Sequence, residues 1–163
     1  MKTLWRISNH CDLEGLGGEK SDGRWHTAAR GKRIVYLSES PAGALLESLA
    51  NLKGNPALFP EKYQLFEINV PDDVYASITF LSGGSPASPT FFKSLPQALS
   101  RKKGNNWLRS NISALAGVPS FPSPYSLNFL LNPKHPDAKT ISIRACRRIK
   151  YDRRLFHVHP ATR

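Results

Sequence analysis

The feature that most constrains the fold is a pair of alternating segments, one near each end of the chain. Residues 2–8 (KTLWRIS) and 140–152 (TISIRACRRIKYD) both place polar and apolar side chains in turn, as a half-buried β-strand does. Helical patterns lie between them. Strands at both ends with helices between them predict a mixed α/β (α+β) fold with a central mixed β-sheet flanked by helices. With 163 residues, the chain is expected to form a single domain spanning 1–163.

The middle of the chain supplies further strand patterns. RIVYLS at 33–38 is rich in β-branched and aromatic residues, KYQLFEINV at 62–70 alternates, and VYASITF at 74–80 is a third candidate strand. LNFLLN at 127–132 is expected to be a short strand or helix. The Gly/Ser/Pro-rich segment 81–90 predicts an exposed loop.

Two segments read as helices. In ESPAGALLESLANL (39–52), Ser40 is a suitable N-cap and Pro41 suits the first helical position. Leucines at 45, 49 and 52 recur at helical spacing and are expected to face the core. Residues 94–114 contain helical material that we expect to be interrupted around Gly104. Its predicted apolar stripe consists of Trp107, Leu108, Ile112 and Leu115.

The chain is strongly basic, with a formal net charge of +11 and a pI near 10.0. The charge is spread over 32–33, 101–103 and 144–154, and the last of these suits a strand with one solvated basic face. No helix-turn-helix, zinc-finger or RNA-recognition signature accompanies it. An acidic protein partner or an anionic small substrate explains the charge at least as well as a nucleic-acid-binding module, which stays an alternative.

Several function classes are not supported. No apolar run approaches the roughly 18 residues of a membrane span, and no secretory signal is evident, so a cytoplasmic location is expected. Cys11 and Cys146 match no metal-ligand spacing, and His157 and His159 are expected to be solvated rather than metal-bound. Phosphate-cradling glycine motifs, HExxH and the GxSxG nucleophile elbow are absent as well.

Two arginines occupy unusual positions. Arg6 interrupts an apolar strand, where a buried guanidinium costs free energy unless it is paired. Arg24 lies between Gly23 and Trp25, so the backbone can approach a ligand closely while the guanidinium grips phosphate. The plainer interpretations are a structural ion pair or an outward-facing edge position for Arg6, and an ordinary loop residue for Arg24.

Three further residues could complete a site. Glu47 lies on or near the apolar face of the first predicted helix, where a carboxylate needs a partner or a ligand. Tyr36 lies in the second strand, and Ser120 follows Pro119. Their plainer interpretations are a core aromatic residue and a turn serine. Together with the arginines they would supply an anion grip, an aromatic surface, a carboxylate and a hydroxyl.

With these residues in place, the chain resembles the RES domain family, the toxins of RES–Xre toxin–antitoxin pairs. The family is named after an arginine, a glutamate and a serine. The resemblance rests on four ordered stretches that cover nearly the whole chain: LWRIS, GRW at 23–25, RIVYLSESPAGALLE at 33–47 and VPSFPSPYSLNFLLNP at 118–133.

The resemblance implies a fold similar to the ADP-ribosyltransferases and an attack on NAD, by hydrolysis or phosphorolysis of the nicotinamide–ribose bond or by transfer of ADP-ribose to a protein. It implies Glu47, Arg24 and Ser120 as catalytic residues, and Arg6, Arg24, Tyr36 and Ser120 as residues that bind NAD. No metal or resident cofactor is implied, since NAD is a substrate and inorganic phosphate a possible co-substrate.

The resemblance also implies a partner, an Xre-type antitoxin that blocks the cleft and through which any contact with nucleic acid would be indirect. The sequence departs from the family after GRW, where HTAARGK (26–32) makes the loop to Tyr36 about two residues longer. The role of His26 is therefore left open.

Overall fold

A single seven-stranded β-sheet organises the protein, as seen in a computed structural model that describes residues 1–52, 63–88 and 90–156. The strands are β1 (Lys2–Ser8), β2 (Val35–Ser38), β3 (Gln64–Val70), β4 (Thr79–Phe80), β5 (Leu115–Pro119), β6 (Leu127–Leu131) and β7 (Ser142–Arg148). The α-helices are α1 (Gly17–Lys20), α2 (Pro41–Asn51), α3 (Asp72–Ala76) and α4 (Gln97–Ser110). Short 3-10 helices span Pro136–Thr140 and Arg153–Phe156.

The strand order is β4-β5-β6-β2-β1-β3-β7. Among the strand pairs of the described residues, β4–β5 is parallel and the others are antiparallel, so the sheet is mixed as predicted. The terminal segments β1 and β7 flank β3, which brings the two ends of the described chain together. The predicted fold class is confirmed. Because β1 lies between β2 and β3, Arg6 is not on an edge strand.

Two apolar clusters cover the opposite faces of the sheet. Val35 and Leu37 of β2 belong to one cluster, while Tyr36 between them packs against the other. Along β6, Phe129 and Leu131 face the first cluster and Leu130 faces the second, as the two-residue repeat of a strand requires. The second cluster also contains Trp25 and so holds the loop before β2 on the sheet.

Strand β5 was not predicted as a strand, and the structure shows why. All five of its residues are buried, so it carries a continuous small and apolar run rather than an alternating pattern. Its sequence, LAGVP, contains glycine and proline, which are usual marks of a loop. Pro119 ends the strand and places Ser120 immediately beyond the sheet.

Two other predictions are wrong in detail. Residues 74–80 do not form one strand, because Asp72 and Asp73 begin the short helix α3 after Pro71, and only Thr79–Phe80 pairs in the sheet. Helix α4 runs through Gly104 without interruption. Of its predicted stripe, Trp107 is buried, but Ile112 is 69% exposed and Leu115 belongs to β5.

Helix α2 begins as predicted. Pro41 is its first residue, and the Ser40 hydroxyl accepts a hydrogen bond from the amide of Gly43 at 3.0 Å. Its buried residues are Gly43 and Ala44, whereas Leu45, Leu49 and Leu52 are only half-buried. The helix therefore lies close to the sheet through its small residues near the N-terminus.

The basic segment at the C-terminal end forms the edge strand β7, which confirms the predicted solvated basic face. Its arginines at 144 and 147 donate to the carboxylate of Glu67 at 2.8 and 3.2 Å, so part of the positive charge serves an ion pair on the neighbouring strand. Charged side chains on an edge strand also disfavour edge-to-edge association. Within the described residues, no helix is long and apolar enough to cross a bilayer.

Gly104 explains how α4 packs onto the loop before β2. A Cβ atom at this position would overlap the backbone carbonyl of Trp25. We expect Gly104→Ala to lower the free energy of unfolding by about 2 kcal/mol or more, because the helix would have to move off the loop. Gly17→Ala is the matched control, since nothing lies within 4 Å of its added Cβ.

Urea unfolding of both variants measures this difference. The control should stay within about 0.5 kcal/mol of the wild type. Equal stability of G104A and G17A would contradict the packing described here.

Candidate functional site

A cleft of about 420 Å³ opens between β1, β2, α2 and the loop of residues 21–26. This loop is called the rim loop below. Four of the predicted site residues line the cleft: Arg6, Arg24, Tyr36 and Glu47. The fifth, Ser120, is buried beside it and contacts Glu47 rather than lining the cleft. The structure thus brings together five residues that are spread over 115 positions of the sequence (6 to 120).

The carboxylate of Glu47 is hydrogen-bonded to residues in and next to the central strands of the sheet. Its Oε1 atom accepts a hydrogen bond from the Ser120 hydroxyl at 2.9 Å and a second, shorter one from the side-chain amide of Asn128. Helix α2 can bring Glu47 this close because Gly43 has no side chain, and a Cβ there would overlap the hydroxyl of Ser38. Among the described residues, Oε2 accepts no hydrogen bond, so it is available to a ligand.

Three residues that line the cleft each carry a buried polar atom without a hydrogen-bond partner. Within the described residues these atoms are Nε of Arg24, the hydroxyl of Ser38 and Oδ1 of Asn128. Buried polar groups are nearly always hydrogen-bonded, and each exception needs an explanation. All three atoms are shielded from solvent, so a ligand in the cleft would contact them only if their side chains reoriented.

The two cleft arginines are held by main-chain carbonyls. Nη1 of Arg6 donates to the carbonyl of Asp12 at 2.8 Å, and Nη2 of Arg24 donates to the carbonyl of Leu95 at 2.7 Å. Burial lowers the pKa of Arg6, and the carboxylate of Asp12 opposes that shift. Neither guanidinium is neutralised by a short carboxylate contact in the described structure, so both retain positive charge for an anion.

Arg24 is further oriented by an aromatic ring. Its guanidinium carbon lies 3.5 Å from the centre of the Phe121 ring, a cation–π distance. Phe121 follows Ser120, so the same turn after β5 orients the arginine and the glutamate. These contacts fix the position of the Arg24 side chain at the edge of the cleft.

The buried His26 and the half-buried Tyr36 form a pair at the base of the rim loop. The Tyr36 hydroxyl lies 2.8 Å from Nδ1 of His26 and accepts a hydrogen bond from the amide of Trp25 at 3.2 Å. Nε2 of His26 lies 3.1 Å from the carbonyl of Ser21 and must donate to it. In neutral histidine Nδ1 then accepts, so the proton of Tyr36 points to His26 and not into the cleft. Gly23 is required here, because a Cβ would overlap the Tyr36 hydroxyl.

Burial also fixes the charge state of these two side chains. It is the largest cause that lowers the pKa of His26, and it raises the pKa of Tyr36 well above its ordinary value. A neutral histidine and a protonated tyrosine are the forms that the hydrogen-bond pattern requires.

Helix α4 holds the rim loop from outside. Nε of Arg101 donates to the carbonyl of Gly23 at 3.0 Å, and Nη1 of Arg101 pairs with Asp22 at 3.2 Å. The amide of Thr27 donates to the side-chain carbonyl of Asn105 at 3.2 Å. The loop that carries Arg24 is therefore fixed at several points rather than hanging free over the cleft.

Comparison with known proteins identifies the family. The model of the RES domain matches residues 3–154. The chain belongs to the RES domain family. It is 40% identical over 141 residues to Toxin Res of Pseudomonas putida, covering 86% of this chain and 90% of that protein. It is 37% identical over 161 residues to the Prs ADP-ribosylating toxin of a Sphingobium strain, covering 94% and 96%.

A solved structure shares the fold of this RES domain. The M. tuberculosis MbcT–MbcA toxin–antitoxin complex contains a chain that superposes with a TM-score of 0.60 at 16% sequence identity. The match covers 89% of this chain and 82% of the other. At that identity, the likeness concerns the arrangement of the sheet and helices.

Three residues of this RES domain site were not predicted: Asn128, Ser38 and His26. Asn128 is the first residue of the Asn-x-x-x-Asn-Pro ending of the LNFLLNP stretch, which could have pointed to it. Its partner in that pattern, Asn132, has a structural role, since its amide donates to Asn111 at 2.8 Å. No sequence pattern points to Ser38. Its place beside the site follows from the structure, where it pairs with Asn128 across β2 and β6.

Metal binding has no support in the described residues, which contain no cluster of three or more His, Cys, Asp or Glu side chains able to hold an ion. His157 and His159 lie outside the described residues.

His26 gives the RES domain a pH-dependent element of stability. Because its folded pKa is below the ordinary 6.5, the unfolded chain takes up the proton first as the pH falls. The stability that neutral His26 contributes is thus full above about pH 6.5 and is lost on acidification. We expect His26→Gln to destabilise the protein most near pH 8, by about 1–3 kcal/mol, and progressively less towards pH 5.

Urea unfolding between pH 5 and 8 tests this expectation. His10→Gln is the matched control, because that histidine is exposed and its ring makes no such pair in the described structure. A difference between wild type and H26Q that grows on acidification would show that the sign is wrong.

Proposed function

We propose that this RES domain is the toxin of a toxin–antitoxin pair and that it cleaves the nicotinamide–ribose bond of NAD. Acting in the cytoplasm, it would deplete cellular NAD and arrest growth. The observation that carries the proposal is the meeting of Arg6, Arg24, Tyr36 and Glu47 in one cleft, where Ser120 and Asn128 hold the Glu47 carboxylate. The names of the relatives support the toxin role.

The diphosphate of NAD fits the two arginines. It carries two negative charges, and Arg6 and Arg24 present two guanidinium groups that are already oriented by main-chain carbonyls. Oriented donors lose little side-chain freedom on binding, and arginine can contact phosphate through two N–H groups.

Glu47 fits the reacting end of the substrate. When the bond between C1′ and the nicotinamide nitrogen breaks, its electron pair leaves with nicotinamide, which becomes neutral, and positive charge develops on the ribose. A carboxylate held in place stabilises that oxocarbenium-like state. Because Ser120 and Asn128 both donate to Oε1, the carboxylate is fixed with Oε2 free to face the ribose. Ser120 acts here through Glu47, and a direct contact with NAD is not needed.

Tyr36 contributes its ring. Since its hydroxyl proton is directed to His26, the surface it offers to the cleft is aromatic, and it suits packing against nicotinamide or its ribose. Nicotinamide is a good leaving group as the cationic ring of NAD, so no general acid is required beside it.

Three reactions are compatible with this site, and they differ in the group that accepts the ADP-ribosyl group. Attack by water is hydrolysis: one hydrogen of the water stays on the new C1′ hydroxyl of ADP-ribose, and the other is released to solvent as a proton. Attack by inorganic phosphate is phosphorolysis. The name of the relative from Sphingobium, an ADP-ribosylating toxin, favours transfer to a protein as the second candidate. All three reactions release nicotinamide and use the same cleft.

An antitoxin partner is part of the proposal. The fold is shared with a chain of a toxin–antitoxin complex, and the net charge of +11 suits an acidic partner segment. We propose an Xre-type antitoxin whose segment enters the cleft, so that any contact with DNA is made by the partner. Addition of such a partner at equal concentration should abolish nicotinamide release.

The test is nicotinamide release from NAD by the wild type and by Glu47→Gln. Glutamine keeps an Oε1 acceptor for Ser120 and Asn128 while it removes the charge, so the variant isolates electrostatic stabilisation of the ribose. We expect kcat to fall at least about 100-fold with the fold retained. Glu14→Gln is the matched control, because Glu14 is exposed and does not line the cleft.

Product analysis with and without phosphate then assigns the acceptor as free ADP-ribose, its phosphate or a labelled protein. Wild-type release no faster than that of E47Q would contradict the proposed function. An E14Q protein as slow as E47Q would show that the loss is not specific to the cleft.

A further inference from the structure

A second concavity, distinct from the NAD cleft, is lined by positive charge. It measures about 430 Å³ and lies between residues 29–33, the C-terminal half of α4 and the turn after β6. We call it the basic groove. Among the described residues, it shares no lining residue with the cleft. Its cationic lining residues in the described chain are Arg30, Lys32, Arg33, Arg109 and Lys134, and no described carboxylate lines it.

The counter-charges of these cations are largely missing within the described residues. Nε of Arg33 pairs with Glu19 at 3.0 Å, outside the groove. Lys32 donates only to neutral oxygens, including the side chain of Asn105 at 2.8 Å. Arg30 and Lys134 are exposed, and their side chains form no hydrogen bond or ion pair with the described residues. The groove is therefore a concave surface of positive charge that an anion would neutralise.

The shape of the groove depends on the backbone as well as on its cationic side chains. Gly31 adopts a φ of +76°, a conformation that other residues rarely take, and turns the chain between Arg30 and Lys32. A Cβ on Gly31 would lie 3.7 Å from Nζ of Lys134, so the turn brings the 29–33 segment against the residues after β6. Asn105 connects it to α4.

We propose that the basic groove binds a compact ligand that carries two or more linked phosphates. Several cations around a small cavity match a phosphate chain, which concentrates negative charge on adjacent groups. An acidic peptide or a nucleic-acid strand spreads the same charge over a longer track than this cavity offers. The volume is within the usual range of small-molecule sites. Leu108 and Ala29 give the groove an apolar wall that could contact an attached nucleoside.

The experiment is isothermal titration calorimetry of the full chain with inorganic tripolyphosphate and, separately, with adenosine triphosphate at fixed salt. The variant Arg30→Ala/Lys134→Ala should weaken tripolyphosphate binding at least about tenfold, since it removes the two unpaired cations. The matched control is Arg148→Ala/Lys150→Ala, which removes the same charge from exposed positions at the end of β7 and beyond. It should weaken binding less than about twofold.

Tighter binding of adenosine triphosphate than of tripolyphosphate would identify a nucleotide as the source of the phosphates, and equal binding would identify the phosphate chain alone. Equal losses in the two double variants, or no saturable binding by the wild type, would overturn the proposal. So would a single-stranded oligonucleotide that binds and is not displaced by tripolyphosphate. Nicotinamide release is not read in this experiment, so its outcome is separate from that of the proposed function.

Discussion

The hydrogen bonds that hold the Glu47 carboxylate determine how the rest of the site is arranged. Ser120 at the end of β5 and Asn128 in β6 both donate to the same oxygen. These contacts fix α2 against the middle of the sheet, which the small residues Gly43 and Ala44 permit. A carboxylate this enclosed would cost free energy without donors, and with them it becomes a fixed negative charge that faces the cleft.

The rim loop depends on a second set of fixed contacts. Trp25 anchors it in the core, Gly104 lets α4 approach it, and Arg101 binds its carbonyl and its aspartate. The His26–Tyr36 pair closes the base. Arg24 is thus presented from a segment fixed at several points, which would keep small the entropy lost if it binds an anion.

The sequence predicted the elements whose patterns are local. β1 alternates over Lys2–Ser8, and α2 has its cap serine and first-turn proline, so both were found with their boundaries nearly correct. β5 was missed because burial on both faces removes alternation, and the strand at 74–80 was wrong because two aspartates after a proline begin a helix. Gly104 suggested a break, but tertiary packing against Trp25 outweighed its low helix propensity.

Several residues of the site could be predicted from the sequence, but the contacts between them could not. Arg6 and Glu47 could be singled out as charges in apolar patterns, and the family resemblance grouped them with Arg24, Tyr36 and Ser120. Which residue contacts which could not be predicted, because Ser120 reaches Glu47 across 73 positions and Asn128 across 81. The role of His26 could not be predicted, since only the fold shows that this residue is 3% exposed and that its ring contacts Tyr36.

We propose that this cleft binds NAD with its nicotinamide ribose at Glu47. A crystal structure of the E47Q protein soaked with NAD tests this placement, because the variant should bind the dinucleotide without cleaving it. We expect the diphosphate against Arg6 and Arg24, and C1′ of the nicotinamide ribose facing the side chain of residue 47. NAD bound in the basic groove with the cleft unoccupied, or bound in the cleft with nicotinamide directed away from residue 47, would contradict it.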